Sequence, residues 1–128
     1  SNGPRADYVD GMLREEAHAD ALANQTAREL ADAGHPQSSA PANQAAYDSG
    51  YNQGVQNLRN SNPDASPEEL DAAGRAAGEQ NVLNEYQAGH VVPSDVGGHP
   101  QPPYNQYYGN AWDNAHPGPG GAGGGGGH

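Results

Sequence analysis

Two glycine pairs with the same spacing limit what this chain can fold into more than any other feature. Gly50 and Gly54 lie in one stretch of helical periodicity, and Gly74 and Gly78 lie in the next. A glycine inside a helix costs about 1 kcal/mol relative to alanine, so four of them require a structural reason. A row of glycines lets two helix backbones approach without side chains between them. The pairs therefore predict a tight antiparallel helical hairpin over residues 43–88.

The apolar residues around the glycines indicate which faces of the two helices meet. They recur at intervals of three and four residues, as on one face of a helix. The first helix ends near Pro63, because the residue before a proline avoids helical geometry, and the short connection makes the two helices antiparallel neighbours. We predict a helix-packing interface formed by Tyr47, Gly50, Tyr51, Gly54, Val55, Leu58, Leu70, Gly74, Ala77 and Gly78.

The second helix of the hairpin has the clearest start signal in the sequence. Ser66 is a favourable N-cap, Pro67 suits the first helical position, and Glu69 completes a Ser-x-x-Glu capping box. Gly89 is a natural stop, because glycine adopts the left-handed conformation that commonly follows a helix. The hairpin region is therefore taken as 43–89.

A long N-terminal helix is predicted within residues 1–34, running from residue 7 to residue 33. Gly34 follows as a C-terminal stop, with Pro36 two positions beyond it. Residues recurring at seven suggest a two-track seam that packs on a partner, although a solvated helical arm is the alternative. Residues 35–42 form a Pro/Ser/Gln linker to the hairpin. The seam consists of Val9, Met12, Glu16, Ala19, Ala23, Thr26, Leu30 and Ala33.

The composition provides little material for a core. The chain has 19 glycines and 11 prolines, no phenylalanine and no cysteine, and 33% hydrophobic residues, many of them alanine. Ordering each residue costs roughly 1–2 kcal/mol of backbone entropy, which a thin core offsets poorly. We therefore expect an all-α protein that gains stability from copies of itself or from a larger partner.

Residues 90–128 differ in character from the helical part. Pro, Gly, Tyr, Asn and Gln dominate them, and the last residues are a glycine tract. The expectation is an extended, irregular low-complexity arm. Four large rings within nine residues are typical of a protein-binding anchor, although a flexible aromatic tail has the same composition. The predicted partner-binding arm contains Tyr104, Tyr107, Tyr108 and Trp112.

Charge and motif content limit the chemistry. The chain has 16 acidic and 5 basic residues, so it lacks the cationic surface that direct nucleic-acid binding needs. No apolar run approaches the roughly 20 residues of a membrane span. The six histidines are scattered without the spacing of a metal site, and the carboxylate pairs have structural explanations. We expect no catalytic, cofactor or metal site, and no enzyme.

These features together favour a soluble structural or assembly subunit that packs on a larger complex through its Gly/Ala-rich helices and aromatic arm. A virion shell accessory or decoration protein and a linker subunit are examples, so a virion or extracellular location is compatible with the sequence. Two alternatives stay open. One is an acidic inhibitor that mimics nucleic acid. The other is an exported helical-hairpin effector, although Tyr47-Asp-Ser-Gly-Tyr51 departs from the Tyr-x-x-x-Asp/Glu export signal.

Overall fold

Four helices make up the regular structure of residues 3–118. The computed structural model describes residues 3–118, and no β-strand occurs among them. The all-α class predicted from the sequence is confirmed. In chain order the helices are α1 (Pro4–Asp32), α2 (Gln44–Ser61), α3 (Pro67–Gln87) and α4 (Tyr104–Ala115).

Helix α1 begins three residues earlier than predicted and ends one residue earlier. Pro4 is its first residue, a position where a missing backbone N–H costs nothing. At the other end Gly34 has a φ of +85°. The amide of His35 donates to the carbonyl of Leu30 at 2.8 Å, and that of Gly34 donates to the carbonyl of Ala31 at 3.0 Å. These two bonds form a Schellman motif, which satisfies carbonyls that the helix leaves without partners.

Helices α2 and α3 form the predicted hairpin, joined by residues 62–66. The capping box is confirmed: the amide of Glu69 donates to the hydroxyl of Ser66 at 3.1 Å, and the amide of Ser66 donates to the carboxylate of Glu69 at 2.9 Å. The reciprocal bonds lower the pKa of Glu69, because they favour its charged form. The start of α3 is therefore fixed by local chemistry alone.

The described residues group into two compact units, one containing residues 3–14 and 86–118 and the other residues 15–85. In the second unit the buried apolar residues come from α1, α2 and α3, with Tyr47 at 1% exposure and Val82 at 0%. In the first unit the buried apolar residues are Leu13 and Tyr86. Each unit therefore has few large apolar side chains in its interior, as the composition implied.

The row of α1 that is buried within the chain differs from the predicted seam. The buried residues of this helix are spaced by three and four, whereas in the seam Glu16 is half-buried and Ala19 and Ala23 are exposed. The difference has a physical reason, since alanines occur all round the helix and leave several faces equally smooth. The buried row consists of Leu13, Ala17, Ala21 and Asn24.

The C-terminal region differs from the predicted extended arm. Residues 90–103 are irregular apart from one tight turn, in which Val96 and His99 exchange two backbone hydrogen bonds across Gly97 and Gly98, both with positive φ. Residues 104–115 are helical instead of extended. The remainder of the predicted arm, residues 119–128, lies outside the described residues.

The helix at residues 104–115 has an identifiable cause. Pro103 is extended, with φ −52° and ψ 151°, and its carbonyl accepts the amide of Tyr107 at 2.8 Å. Three of the rings recur at intervals of four residues and therefore lie on one face of α4. A low-complexity composition concealed this period, because polar amides and glycine fill the positions between the rings. The three rings are those of Tyr104, Tyr108 and Trp112.

Candidate interaction surfaces

The glycines of α2 bring its backbone against that of α3. A Cβ atom built on Gly54 would lie 2.5 Å from the carbonyl oxygen of Ala73 and 2.6 Å from the Cβ of Ala77. One built on Gly50 would lie 2.5 Å from the carbonyl oxygen of Ala77 and 2.9 Å from the Cα of Gly78. Real Cβ atoms do not approach other atoms so closely. Only glycine fits both positions of α2 in this packing.

The glycines of α3 have a different neighbour, which is the tyrosine pair of α2. A Cβ on Gly74 would lie 2.7 Å from the ring of Tyr51, and one on Gly78 would lie 2.8 Å from the ring of Tyr47. The two tyrosine rings are 6.2 Å apart at a tilt of 36°. Each ring thus covers a stretch of bare α3 backbone, which replaces the side-chain contacts that the glycines cannot provide.

The ten residues of the predicted helix-packing interface lie at varied depths in the hairpin. Five are buried and five are half-buried, and none is exposed. The glycine contacts just described join α2 to α3 within one chain. The buried members are Tyr47, Gly50, Gly54, Gly74 and Gly78, and the half-buried members are Tyr51, Val55, Leu58, Leu70 and Ala77.

A charged contact joins α1 to α2, and the sequence did not reveal it. The guanidinium of Arg28 lies 4.0 Å from the centre of the Tyr51 ring, and its Nη1 donates to Oδ1 of Asp48 at 3.1 Å. Stacking on a ring and pairing with a carboxylate are the two contacts that a planar guanidinium makes best. The sequence offered only a weak signal for this contact, namely an arginine on the predicted N-terminal helix and an acidic residue, Asp48, next to Tyr47 in the predicted hairpin.

The charged contact continues from α2 to α3. The Tyr51 hydroxyl donates to the carboxylate of Asp71, and Nε of Arg75 lies 2.7 Å from the other oxygen of that carboxylate. Burial is the largest cause that raises the pKa of Tyr51, and the bond to Asp71 raises it further. Burial also raises the pKa of Tyr47. A cavity of about 70 Å³ lies among these side chains, which is room for about two water molecules.

A buried asparagine holds the segment before α2 against α1. Asn24 is 1% exposed, and its Nδ2 donates at 2.9 Å to the carbonyls of Asp20 and Ala42. Asn43 adopts a φ of +58° and donates to a carboxylate oxygen of Asp20 at 2.7 Å. Asparagine tolerates this left-handed backbone better than most residues. Neither asparagine had been recognised as structural from the sequence.

The four aromatic residues of the predicted partner-binding arm form a cluster with rings from elsewhere in their own unit. Tyr8 lies 6.4 Å from Tyr108 and 5.5 Å from Trp112, measured between ring centres. Tyr86 lies 5.3 Å from Tyr104. Three of the four arm rings, those of Tyr104, Tyr108 and Trp112, are half-buried in these contacts. They are thus ordered by their own chain, which the sequence did not predict.

Tyr107 is the exception within the cluster. Its side chain is 39% exposed, since it lies off the face formed by the other three rings. The ring stands edge-on to Tyr108 at 5.2 Å and to Tyr104 at 6.2 Å. Edge-to-face contacts of this kind are favourable for aromatic pairs. The exposed ring is therefore held in place from within the cluster.

An ion pair fastens α4 to the start of α1. Nε and Nη2 of Arg5 donate to the two carboxylate oxygens of Asp113 at 2.9 and 3.2 Å. Gly109 makes room for this pair, because a Cβ there would lie 2.5 Å from Arg5 Nη2. Beside Arg5 lies a surface depression of about 350 Å³ with both apolar and polar residues in its lining. Its lining consists of Arg5, Ala6, Val9, Asp10, Leu13, Gln87 and Asn105.

Metal and membrane features were sought in the same residues. Between residues 3 and 118, no group of three or more His, Asp or Glu side chains is placed to hold a metal ion. In that range no helix combines the length and the apolar character needed to cross a membrane.

Comparison of the chain with protein-family models, with curated proteins and with solved structures finds no match.

Proposed function

We propose that this protein is a non-enzymatic assembly subunit that binds another protein through the aromatic cluster of α4. The observation that carries the proposal is Tyr107, a large ring that is 39% exposed and supported by two neighbouring rings. Tyrosine and tryptophan supply much of the energy at protein interfaces. A ring that is already held in place loses little freedom on binding, which favours association.

The depression next to α4 supports the same role. Its lining includes the apolar residues Ala6, Val9 and Leu13 and the oppositely charged Arg5 and Asp10. The carboxylate of Asp10 has a lowered pKa, chiefly because Arg14 donates a hydrogen bond to it. Apolar residues next to charged ones are typical of the centre and rim of a protein interface. A partner could place an apolar side chain in the depression while it contacts Tyr107.

The ionisable side chains support a structural role over a catalytic one. Catalytic acids and bases are partly desolvated groups whose pKa is tuned in a concave site. Here the raised pKa of Arg5 is explained by its ion pair with Asp113, and the lowered pKa values of Asp10 and Glu69 by Arg14 and the capping box. Burial raises the pKa of Tyr47 and Tyr51, whose rings pack on the glycines of α3. These groups stabilise helices or fasten them to one another.

The nucleic-acid-mimic alternative receives less support from the hairpin. Such an inhibitor would display carboxylates along a continuous open face. The carboxylate of Asp48 contacts Arg28 instead, and that of Glu79 lies 2.9 Å from His18. Both contacts turn hairpin charge toward α1.

The experiment is a comparison of two variants in co-purification from the natural source. The full chain should recover a partner protein in fixed stoichiometry, and Tyr107→Ala should lose it. Asn110→Ala is the matched control, since Asn110 is an exposed residue on the same helix, and it should retain the partner. If Tyr107→Ala recovers the partner as well as the full chain does, the aromatic cluster is not the binding surface and the proposal fails.

A further inference from the structure

Most of the aromatic side chains of this protein lie in one connected cluster within the unit that contains α4. The chain has 7 tyrosines and 1 tryptophan but no phenylalanine. Tyrosine and tryptophan lose an electron far more readily than phenylalanine does, so every ring of the cluster can be oxidised. The chain also lacks cysteine, and no thiol competes for an oxidant. The ring cluster consists of Tyr8, Tyr86, Tyr104, Tyr107, Tyr108 and Trp112.

The rings follow one another at contact distance from Trp112 to Tyr107. The ring centres of Trp112 and Tyr8 are 5.5 Å apart, and those of Tyr8 and Tyr108 are 6.4 Å apart. Tyr107 comes next, 5.2 Å from Tyr108. Tyr104 offers a second way over the last step, at 5.9 Å from Tyr108 and 6.2 Å from Tyr107. Electron transfer between rings this close is fast, because it slows steeply only as the separation grows.

Tyr107 differs from the other rings of this path in its exposure. Its side chain is 39% exposed, whereas Tyr8, Tyr108 and Trp112 are half-buried. At neutral pH an indole radical takes an electron from a tyrosine, because the phenol releases its proton on oxidation and forms a more stable neutral radical. Water accepts that proton most easily at an exposed ring. The oxidised state is therefore expected to settle on Tyr107.

We infer that the ring cluster is a one-electron relay that carries oxidation from Trp112 to Tyr107, and that Tyr107 is the site of oxidative phenol coupling in this chain. The relay is complete within one chain and needs no bound partner. It therefore stands or fails separately from the proposed binding role of α4.

The reaction balances for hydrogen peroxide acting through a peroxidase. Each oxidising equivalent removes one electron from Trp112, which regains it through Tyr8 and Tyr108. The net loss is one electron and one phenolic proton from Tyr107. Two such phenoxyl radicals form a carbon–carbon bond between the ring positions beside their oxygens, and the hydrogens of those carbons move to the oxygens, which restores both phenols. Two tyrosines and one hydrogen peroxide thus give one dityrosine and two water molecules.

The test begins oxidation at Trp112 alone, since it is the only tryptophan of the chain. Light at the long-wavelength edge of protein absorption excites tryptophan and not tyrosine, and a cobalt(III) ammine complex takes up the electron irreversibly. Flash photolysis of the full chain should show the indole radical decaying while a tyrosyl radical appears. An indole radical that decays without forming a tyrosyl radical overturns the inference.

The coupling site is identified from the product of steady illumination. High salt is used, because it screens the repulsion between these acidic chains. The unsubstituted protein should form a covalent dimer, and peptide mapping should locate its dityrosine at Tyr107. Tyr107→Phe should lose the dimer while the indole radical still decays normally. Coupling at another tyrosine overturns the assignment of Tyr107.

Tyrosine-to-phenylalanine variants test the route, because they keep the ring and remove only the hydroxyl. Tyr8→Phe should slow the decay of the indole radical by at least about tenfold, since phenylalanine raises the barrier of the first step. Tyr108→Phe should leave the radical on Tyr8 and lower the yield of the dimer. The matched control is Tyr86→Phe, which removes a hydroxyl from the same cluster beside the route, 5.3 Å from Tyr104. It should behave like the unsubstituted chain.

Two results with these variants contradict the relay. If Tyr8→Phe and Tyr108→Phe behave like the unsubstituted chain, the rings only pack against one another. If Tyr86→Phe slows the reaction as much as they do, the loss of any hydroxyl disturbs the cluster and no defined route exists. Circular dichroism establishes that each variant is folded.

Discussion

Gly54→Ala provides the sharpest test of the hairpin packing. The new methyl group would lie 2.5 Å from the carbonyl oxygen of Ala73 and 2.6 Å from the Cβ of Ala77. Neither atom belongs to a flexible side chain, so the helices must separate to admit it. Overpacking costs about 1–3 kcal/mol, and a backbone obstacle favours the upper end. Alanine returns about 1 kcal/mol as the better helix former, which leaves a net loss of about 2 kcal/mol.

The assay is thermal unfolding followed by circular dichroism, with Gly11→Ala as the matched control. Gly11 is an exposed glycine inside α1, and a Cβ there meets nothing within 4 Å. For a chain of this size each kcal/mol moves the Tm by about 4 °C. Gly54→Ala should therefore lower the Tm by about 8 °C, whereas Gly11→Ala should raise it by up to about 4 °C.

The two variants make the same chemical change and differ only in what surrounds it. If Gly54→Ala raises the Tm as Gly11→Ala does, the glycine row faces open space and the packing described for α2 and α3 is wrong. Gly74→Ala adds a graded comparison, since the obstacle there is the ring of Tyr51 at 2.7 Å. A ring can turn aside more easily than a backbone carbonyl, so this loss should be smaller than that of Gly54→Ala.

Three further predictions follow from local contacts. Burial raises the pKa of Tyr47 above its ordinary value of 10.0, so the contribution of the neutral Tyr47 side chain to folding stability is complete below pH 10 and is lost as the pH rises. Denaturant unfolding should therefore show a free energy of unfolding that falls above pH 10. Tyr47→Phe should reduce that fall. Glu69 has a pKa below its ordinary 4.5, so its contribution is present above pH 4.5 and is lost on acidification, and Ser66→Ala should lessen this acid sensitivity in the same assay. Trp112 stacks on His116 at 3.6 Å, and since imidazole contact quenches indole emission, His116→Ala should brighten Trp112 fluorescence; unchanged emission would contradict the stacking.

The hairpin could be predicted because its signals are local and independent of one another. The capping box fixes the start of α3 with two hydrogen bonds between Ser66 and Glu69, and no distant residue is needed to form it. The glycine pairs mark the contact between α2 and α3, because a glycine inside a helix carries a cost that only close packing offsets. Signals of this kind survive in a composition that lacks large apolar residues.

The buried row of α1 could not be predicted for the opposite reason. Alanine occurs on several faces of this helix, so hydrophobic periodicity does not distinguish among them. Leu22 is 50% exposed, whereas Ala17 is fully buried and Asn24 is 1% exposed. Which face turns inward depends on contacts with distant residues, such as the carbonyl of Ala42 that Asn24 binds. Helix periodicity alone contains no record of such contacts.

The helix α4 was missed because composition was given more weight than spacing. Glycine, asparagine and glutamine are typical of irregular segments, yet Tyr104, Tyr108 and Trp112 are spaced by four and share one helical face. Their partners, Tyr8 and Tyr86, are distant in the sequence. The ring cluster is assembled from three separate segments of the chain. The only local sign of it in the sequence is therefore the four-residue spacing of the rings within α4.

The glycine rows also show what a packing signal leaves undetermined. A row of glycines specifies that a backbone approaches, but it does not specify whether that backbone belongs to the same chain or to another. The connection between α2 and α3 decides the matter here. Residues 62–66 are so short a link that each helix meets the other at an effective concentration of millimolar or more, far above that of any second copy. The glycine faces are therefore occupied within the chain, and a partner protein has to bind elsewhere, as we propose for the exposed ring of Tyr107.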